Sequence, residues 1–335
     1  MKIGILTGGG DCPGLNAVIR AVVRRALSYG MEVLGVRNGF LGLIEGDVEP
    51  LTGFSVTGIL PKGGTILGTS RCNPLRSMED RQKLLNNVKR YGLDALIAVG
   101  GDGTLSAARE LHEIGVPVVG VPKTIDNDLK GTDYTFGFDT AVTVVCEAVD
   151  RLHTTAESHH RVMVVEVMGR RVGWIAAFGG LAGGADFILI PEKPYRLEEM
   201  CKVLDSRHRR GRPFSIVVVA EGAFAAGEQP PERVGEGGTS SIGFRVAKEI
   251  ADCLGVETRV TVLGHTQRGG SPTAFDRILA TRFGIRAVDL VREGRYGHMV
   301  ALHGTRIETV PLSEATAGPK HMDLEQFADA EVFFG

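Results

Sequence analysis

Short runs of apolar, β-branched residues alternate with longer amphipathic stretches along most of the chain. The runs are nearly continuous in Val, Ile and Ala, which is typical of parallel strands buried on both faces. The predicted strands are Lys2–Leu6, Glu32–Val36, Ala95–Val99, Val116–Val121, Arg161–Val167, Ser215–Ala220 and Thr258–Leu263. The predicted helices are Leu15–Ser28, Met78–Tyr91, Thr104–Ile114, Phe138–Thr154 and Gly243–Leu254. This alternation predicts a doubly wound α/β architecture, in which ligands bind beyond the carboxyl ends of the strands.

The chain is long enough for two domains, because 335 residues exceed the size at which a single hydrophobic core stops growing. We predict two α/β lobes that exchange segments near their boundary at Gly137. One lobe comprises residues 1–137 and about 255–305, and the other comprises residues 138–254 and about 306–335. Ala223–Thr239 is rich in Gly, Pro and Glu and is predicted to be a flexible surface loop.

Charge and cysteine usage exclude several classes of protein. The formal net charge of −2 argues against a general nucleic-acid or membrane binder, and no apolar run reaches the length of a membrane span. The amino-terminal apolar run is too short for a secretory signal. Five scattered cysteines without a CxxC pair favour reduced thiols over a disulfide framework or a zinc site. We therefore expect a cytoplasmic, soluble protein.

The first glycine-rich segment, Thr7–Asn16, follows a predicted strand and opens a predicted helix. Glycines let a backbone approach phosphate closely, and the start of a helix offers unpaired N–H groups. The spacing of Gly8, Gly10 and Gly14 matches neither GxGxxG nor GxxxxGK[ST]. Phosphate binding and a tight turn without a ligand are therefore both open on this segment alone.

Two further segments carry carboxylates just after predicted strands. Gly100–Thr104 holds Asp102 among glycines, where it would suit either Mg²⁺ beside nucleotide phosphates or capping of the next helix. Pro122–Asp128 holds Asp126 and Asp128, which would serve as a base and on the metal side, or belong to a turn rich in Asp and Asn. Three acidic residues at strand ends are hard to explain by turn chemistry alone.

The segments together resemble the phosphofructokinase family. The matching motifs, in family order and spacing from about Lys2 to Leu290, are GGGDCPGLN, GGDGT, PKTIDND, Met168-Gly169-Arg170, Ala220-Glu221-Gly222 and LGHTQRGGSP at Leu263–Pro272. GGDGT is shared with NAD kinases and diacylglycerol kinases, whereas TIDND and LGHTQRGG are close to diagnostic. An NAD kinase-like enzyme would leave TIDND and LGHTQRGG unexplained. A non-enzymatic nucleotide-binding regulator should have lost Asp126, Arg71 or Arg170, and all three are present.

The resemblance implies two Rossmann-like, three-layer α/β/α lobes with mainly parallel sheets and an active site in the cleft between them. It implies transfer of the γ-phosphoryl group of ATP to the 1-hydroxyl of fructose 6-phosphate, with Mg²⁺ as cofactor, giving fructose 1,6-bisphosphate and ADP in glycolysis. It also implies a homo-oligomer, usually a tetramer, whose sites are shared between subunits. No nucleic acid or membrane partner is expected.

The resemblance also implies site residues. Asp126 is the expected base beside Thr124, and Asp102 and Asp128 are the expected metal-side carboxylates. The further residues with an implied catalytic role are Arg71, Arg170 and Gly10. Those implied to bind the sugar phosphate are Thr124, Asp126, Asp128, Arg161, Met168, Gly169, Arg170, Glu221, Arg259, His265 and Arg268, with Arg161 and Arg259 reaching a neighbouring subunit. Those implied to bind the phosphoryl donor are Gly10, Phe40, Arg71, Cys72, Arg76, Gly101, Asp102, Gly103, Thr104 and Lys123.

The phosphoryl donor depends on two positions at which the family varies. Gly103 leaves room for the α-phosphate and ribose of ATP, whereas a carboxylate would obstruct and repel them. Lys123 is a residue of the pyrophosphate-dependent members. Because steric exclusion is harder to evade than an added cation, we expect ATP, with pyrophosphate as the alternative.

Regulation is expected to be reduced. Arg20 and Arg24 match effector-site arginines of regulated bacterial members, but Gly53 and His153 stand where those members carry arginine. His159-His160 is predicted to be a surface turn rather than a metal site. The role of the arginine-rich run at 207–212 stays open.

Overall fold

A computed structural model describes residues 1–232 and 241–335, and within these ranges the chain forms eleven strands and eleven α-helices. The strands are β1 (Lys2–Thr7), β2 (Glu32–Val36), β3 (Val48–Leu51), β4 (Ala95–Gly100), β5 (Val118–Pro122), β6 (Val162–Val167), β7 (Phe187–Leu189), β8 (Ser215–Ala220), β9 (Thr258–Val262), β10 (His298–His303) and β11 (Arg306–Pro311). The helices are α1 (Leu15–Ser28), α2 (Phe40–Glu45), α3 (Met78–Arg90), α4 (Asp102–Glu113), α5 (Phe138–His159), α6 (Trp174–Ala182), α7 (Leu197–Arg209), α8 (Ile242–Leu254), α9 (Ala274–Arg292), α10 (Leu312–Ala315) and α11 (Leu324–Glu331), and Gly264–Arg268 forms a 3₁₀-helix. The predicted α/β class is confirmed.

The chain divides into two compact units. The first unit comprises Met1–Ile125, Leu129–Thr140 and Arg268–Pro319. The second unit comprises Asp126–Asp128, Ala141–Gln267 and Lys320–Gly335. The bounds differ from those expected from the sequence because β9 pairs with β6 in the sheet of the second unit, whereas β10 and β11 form an antiparallel pair in the sheet of the first.

The first unit is built on a seven-stranded sheet of order β11-β10-β5-β4-β1-β2-β3. The central strands β5, β4, β1 and β2 are parallel, while β3 and β11 are antiparallel edge strands. One buried cluster of the unit includes Leu6, Ala98, Leu105 and Met299. Parallel central strands place their carboxyl ends along one edge of the sheet, where doubly wound folds bind ligands.

The second unit is built on a four-stranded parallel sheet of order β7-β8-β6-β9. Its strands β6 and β8 are buried along their whole length, as expected for continuous Val and Ile runs covered on both faces. Helices α7 and α8 bury Leu204, Val246 and Ile250 in a common cluster with β6 and β8. The carboxyl ends of β6, β8 and β9 again share one edge.

The cysteine prediction is wrong for one pair. Cys201 on α7 and Cys253 on α8 form a disulfide with a Cα–Cα distance of 6.6 Å, while Cys12, Cys72 and Cys146 are free thiols. The two partners are 52 residues apart in sequence, so only the packing of α7 beside α8 brings them together. Spacing rules based on CxxC motifs do not detect such a pair.

Two other expectations concern segments of the chain. Within the described residues, no helix is both long and apolar enough to cross a bilayer. The predicted loop Ala223–Thr239 is described only as far as residue 232, and residues 233–239 lie outside the described ranges. Near its start, Ala225 forms an isolated parallel bridge with Tyr195.

Candidate active site

The first unit brings three of the predicted segments to one edge of its sheet. Strands β1, β4 and β5 are adjacent and parallel, with Thr7 paired to Val99 and Gly100 paired to Pro122. Their carboxyl ends are therefore nearly level. The segments that leave these ends are the glycine-rich loop after β1, the Asp102 segment after β4 and the Lys123–Thr124 segment after β5.

Glycine is required at two positions of the glycine-rich loop by geometry. Gly14 adopts a φ of 106°, and an added Cβ there would lie 2.7 Å from the ring of Phe136. Gly8 has no such backbone constraint, but a Cβ on it would lie 2.6 Å from the hydroxyl of Thr104. The loop is thus packed closely against its neighbours, which fixes the direction of its backbone N–H groups.

Two buried cations contact the carbonyl groups of this loop. The Lys123 ammonium donates a hydrogen bond to the carbonyl oxygen of Gly10, and its residue is 3% exposed. The Arg268 guanidinium donates from Nη1 to the carbonyl oxygen of Asp11 at 3.2 Å, and its residue is 7% exposed. Burial raises the pKa of the Cys12 thiol, so this cysteine stays protonated despite the nearby cations. Two positive charges beside a glycine-rich loop make this edge suited to anionic ligands.

Asn16, which belongs to the motif but had no predicted role, connects the loop to residues 62–66. Its amide nitrogen donates to the carbonyl oxygens of Lys62 and Gly63 at 3.1 and 3.2 Å, and its amide oxygen accepts from Ile66 N at 2.8 Å. The side chain is buried, so these hydrogen bonds are protected from water. One sign of this role is present in the sequence. Asn16 is a polar residue in the first turn of a predicted amphipathic helix, and its amide needs several hydrogen-bond partners if that turn is buried.

The Asp102 segment leaves open space on its exposed side. Asp102 is exposed in the first turn of α4, and a Cβ at Gly103 would meet nothing within 4 Å. Thr104 is buried instead, and its side chain packs against Gly8 and Gly100. Among the residues that the structure describes, no three His, Cys, Asp or Glu side chains group as a metal cluster.

The other predicted donor-binding residues differ in exposure. Phe40 is 3% exposed and lies in the buried cluster with Leu6 and Leu43, so its ring packs in the core of the first unit. Cys72 is partly buried, which raises the pKa of its thiol. Arg71 and Arg76 are exposed. The aromatic identity of Phe40 gave no signal of this burial, because aromatic residues occur both in cores and in binding sites.

In the second unit, Glu221 fixes the backbone of the Met168–Arg170 segment. Its Oε1 accepts from the backbone N–H groups of Gly169 at 3.2 Å and Arg170 at 2.8 Å. Arg170 has a φ of 54° and Gly169 a φ of 148°, both unfavourable for ordinary side chains. A Cβ at Gly222 would lie 2.0 Å from the carbonyl oxygen of Arg170. The Ala220-Glu221-Gly222 motif at the end of β8 therefore also holds the strained turn at Gly169–Arg170 in place.

The fixed turn directs Arg170 toward Asp126. Arg170 Nε lies 3.7 Å from Asp126 Oδ2, and the side chains are 52% and 3% exposed. Burial raises the pKa of Glu221, the two backbone hydrogen bonds lower it, and the nearby Asp126 carboxylate raises it. A buried carboxylate beside a half-exposed arginine can accept a proton while the guanidinium contacts an anionic substrate.

Other predicted residues lie along the carboxyl edge of the same sheet. Met168 follows β6 and is buried, and His265 follows β9 in the 3₁₀-helix and is exposed. Leu263 N donates to the carbonyl oxygen of Glu166 at 3.0 Å, which keeps the segment after β9 beside β6. The sheet thus gathers the turn at Met168–Arg170, the Glu221 carboxylate and His265.

Arg161 and Arg259 lie at the opposite end of this sheet. Arg161 precedes β6, and Arg259 is the second residue of β9, opposite Met163. Both pair with Glu257, and Arg161 Nε lies 2.7 Å from its Oε2. Because a strand rises about 3.3 Å per residue, β6 separates these arginines from Arg170 by about 20 Å. Within one chain they do not join the other predicted sugar-phosphate residues.

The family relationship follows from comparison with known proteins. The family model described as Phosphofructokinase matches residues 2–291. The chain belongs to the phosphofructokinase family. A pyrophosphate–fructose 6-phosphate 1-phosphotransferase of Streptomyces coelicolor is 55% identical over 343 residues, and ATP-dependent 6-phosphofructokinase 2 of the same organism is 51% identical over 341 residues. Each comparison covers 100% of both chains.

The solved structures support the same family and fold. The phosphofructokinase of Saccharomyces cerevisiae is 36% identical with a TM-score of 0.85. The alignment covers 99% of this chain and 46% of the yeast chain. The relatives described as ATP-dependent and pyrophosphate-dependent are nearly equally similar, so overall similarity does not decide the donor.

Proposed function

We propose that the protein is a 6-phosphofructokinase, which transfers a phosphoryl group to the 1-hydroxyl of fructose 6-phosphate. The observation that carries this proposal is the buried Asp126 carboxylate beside Arg170, in a chain of the phosphofructokinase family. In the transfer, the sugar oxygen forms a bond to phosphorus as the bond to the leaving phosphate breaks. Asp126 accepts the proton that the hydroxyl loses, with Thr124 two residues before it in the chain.

The first unit would bind the phosphoryl donor. The glycine-rich loop leads into the start of α1, and Lys123 adds positive charge beside it. Arg268, which the family resemblance assigns to the sugar phosphate, contacts the same loop through Asp11. Asp102, an exposed carboxylate after a strand end, fits Mg²⁺, which typically takes one or two carboxylates and completes its shell with water and phosphate oxygens. Mg²⁺ would neutralise charge on the phosphates, and Asp128 is the second proposed carboxylate on the metal side.

The second unit would bind the sugar phosphate through Arg170, Glu221 and His265, with Met168 and Gly169 shaping the turn. Arg161 and Arg259 are proposed to serve the site of a neighbouring subunit. Their position about 20 Å away along β6 supports this division, since they cannot reach the same ligand within one chain. A homotetramer is the assembly we propose.

ATP is the donor that we favour. Gly103 lies in a helical first turn, has no positive φ and has no neighbour that a Cβ would strike. A glycine in a helix costs about 1 kcal/mol relative to alanine, so neither packing nor backbone conformation explains it. Space for the α-phosphate and ribose of a nucleotide does explain it.

Pyrophosphate is the second candidate, and Lys123 supports it. This buried ammonium lies against the glycine-rich loop, where it would stabilise a compact, highly charged donor. Relatives described as pyrophosphate-dependent reach 55% identity. The buried Lys123 ammonium therefore favours pyrophosphate, whereas the open space at Gly103 favours ATP.

A direct assay separates the two donors. The measurement is fructose 1,6-bisphosphate formation from fructose 6-phosphate and Mg²⁺, with ATP and pyrophosphate compared at equal concentrations. We expect turnover with ATP, and Gly103→Asp should abolish it. Turnover with pyrophosphate alone would assign control of the donor to Lys123. Absence of turnover with both would contradict the proposed function.

A further inference from the structure

A short segment of the first unit, Thr135–Thr140, contacts two of the predicted site segments. The hydroxyl of Thr135 donates to the carbonyl oxygen of Thr124 at 2.8 Å. Phe136 forms an isolated parallel bridge with Lys123, and its carbonyl oxygen accepts from Cys12 Sγ at 3.6 Å. The segment therefore lies between the glycine-rich loop and the segment that leads into Asp126.

These contacts leave the segment little freedom to shift. Gly137 has a φ of 99°, and a Cβ there would lie 2.7 Å from Cys12 Sγ. Phe136 in turn packs against Gly14 at the start of α1. Because closely packed atoms transmit displacements instead of absorbing them, a movement of this segment would displace the glycine-rich loop and Thr124 together.

The far end of the segment is held by Asp276, a residue of the first turn of α9. Its Oδ2 accepts from Thr140 N at 2.8 Å and from Thr140 Oγ1 at 2.5 Å. Asp276 is fully buried, so both hydrogen bonds lie away from water. The N-cap of α9 adds two more contacts, since Thr273 Oγ1 donates to Asp139 at 2.6 Å and Thr273 N donates to Thr140 Oγ1 at 3.1 Å.

The start of α9 is also close in sequence to a second site residue. Arg268, which contacts the glycine-rich loop through Asp11, precedes Asp276 by eight residues. The hydrogen bonds of Asp276 therefore connect the part of the chain that contains Arg268 to the segment Thr135–Thr140. A buried carboxylate is costly to desolvate, and the raised pKa of Asp276, about 6, reflects that cost. An apolar side chain could not accept the two hydrogen bonds that Asp276 takes from Thr140.

We propose that Asp276 is a positioning residue for phosphoryl transfer. It touches no substrate, but through Thr140 it fixes the segment that supports the glycine-rich loop and Thr124. This inference rests on the proposed function, because it concerns the placement of groups for that reaction. Misplacement of reacting groups by about 1 Å can lower a rate by about a hundredfold, so the effect of losing this anchor is measurable.

The test compares two carboxylates of the same helix. Asp289 also lies on α9 and accepts from Arg25 Nε at 2.8 Å and from Tyr29 Oη at 2.9 Å, but these partners lie on α1 and directly after it. Asp276→Asn and Asp289→Asn are each assayed for kcat, KM and unfolding temperature, with the donor that the wild type uses. We expect Asp276→Asn to lower kcat by about tenfold to a hundredfold at a temperature where it is folded. Asp289→Asn should change the unfolding temperature and leave kcat within about twofold.

Thr140 provides a second pair of variants in case Asp276→Asn does not fold. Thr140→Val removes the hydroxyl that donates to Asp276, and Thr140→Ser keeps it. A lower kcat in the valine variant with a normal kcat in the serine variant would support the proposal. Equal kcat in Asp276→Asn, Asp289→Asn and wild type would overturn it while leaving the proposed function intact. An inactive wild type would instead overturn the proposed function, and this inference with it.

Discussion

The two units fix their candidate binding edges by different means. In the first unit, close-packed glycines set the backbone, and the cations Lys123 and Arg268 are buried against it. In the second unit, a buried carboxylate, Glu221, holds a strained turn that presents the half-exposed Arg170. The arrangement in the first unit keeps the positive charges of Lys123 and Arg268 in fixed positions, which suits a phosphoryl donor that must be oriented for reaction. The second unit holds the backbone of Arg170 and leaves its side chain half-exposed beside Asp126, where it can contact an anionic substrate.

The largest expected effect tests whether Asp126 is the base beside this half-exposed arginine. Asp126→Asn keeps the shape of the side chain but cannot accept the hydroxyl proton. General acid–base catalysis contributes about 10²–10⁴-fold, so we expect kcat to fall by that factor. The measurement is steady-state turnover, with circular dichroism as the control for folding. A variant with nearly normal kcat would remove Asp126 from the base role.

A smaller effect is expected from Glu221→Gln, which tests the role of the buried carboxylate in the second unit. Glutamine keeps one acceptor for Gly169 N and Arg170 N, but the hydrogen bonds lose their charge-assisted strength. We expect KM for fructose 6-phosphate to rise by about tenfold, with a smaller change in kcat, because a loss of about 1.4 kcal/mol in binding is tenfold. An unchanged KM would show that the turn holds its shape without the charge.

The same variant has a pH signature. The pKa of Glu221 is raised in the folded protein, so between the unfolded and folded pKa values the folded state binds more protons. The contribution of this group to stability is therefore fully present below the unfolded pKa and is lost as pH rises through the folded pKa. Glu221→Gln should lack this loss. The check is the difference in unfolding free energy between wild type and variant, measured by urea titration from acidic to neutral pH.

The smallest effect on turnover is expected from Asn16→Ala in the first unit. The substitution removes the partner of Ile66 N and of two carbonyl groups, so we expect a loss of about 1–3 kcal/mol of stability. KM for the donor should rise by less than about tenfold, since Gly10 and Lys123 keep their places. Ser28→Ala, which removes an exposed hydrogen bond at the end of α1, is the matched control. Equal stabilities of the two variants would contradict the role of Asn16 as an anchor.

The sequence by itself determined seven of the eleven strands in the described residues and the segments that follow them, but it did not reveal β3, β7, β10 and β11. Runs such as Ala95–Val99 and Ile216–Ala220 are apolar throughout, so burial on both faces of a parallel sheet is dictated locally. Glycine-rich segments after β1 and β4 could be placed at the ligand-binding edge for the same reason. The motifs around Asp126 and Leu263–Pro272 gave the family before any tertiary contact was known, and the family model confirms it.

Only the tertiary structure decided which residues share a surface. Arg161 and Arg170 are nine residues apart in sequence, yet β6 carries them to opposite ends of a sheet. Phe40 is buried by a core that forms from distant segments, and Cys201 meets Cys253 only because α7 packs beside α8. Glu221 and Asp276 act on backbone atoms far away in the chain, and such contacts leave no periodic pattern in the sequence. Local composition therefore fixes the strands with continuous apolar runs and their ends, while long-range packing decides what each side chain at those ends can touch.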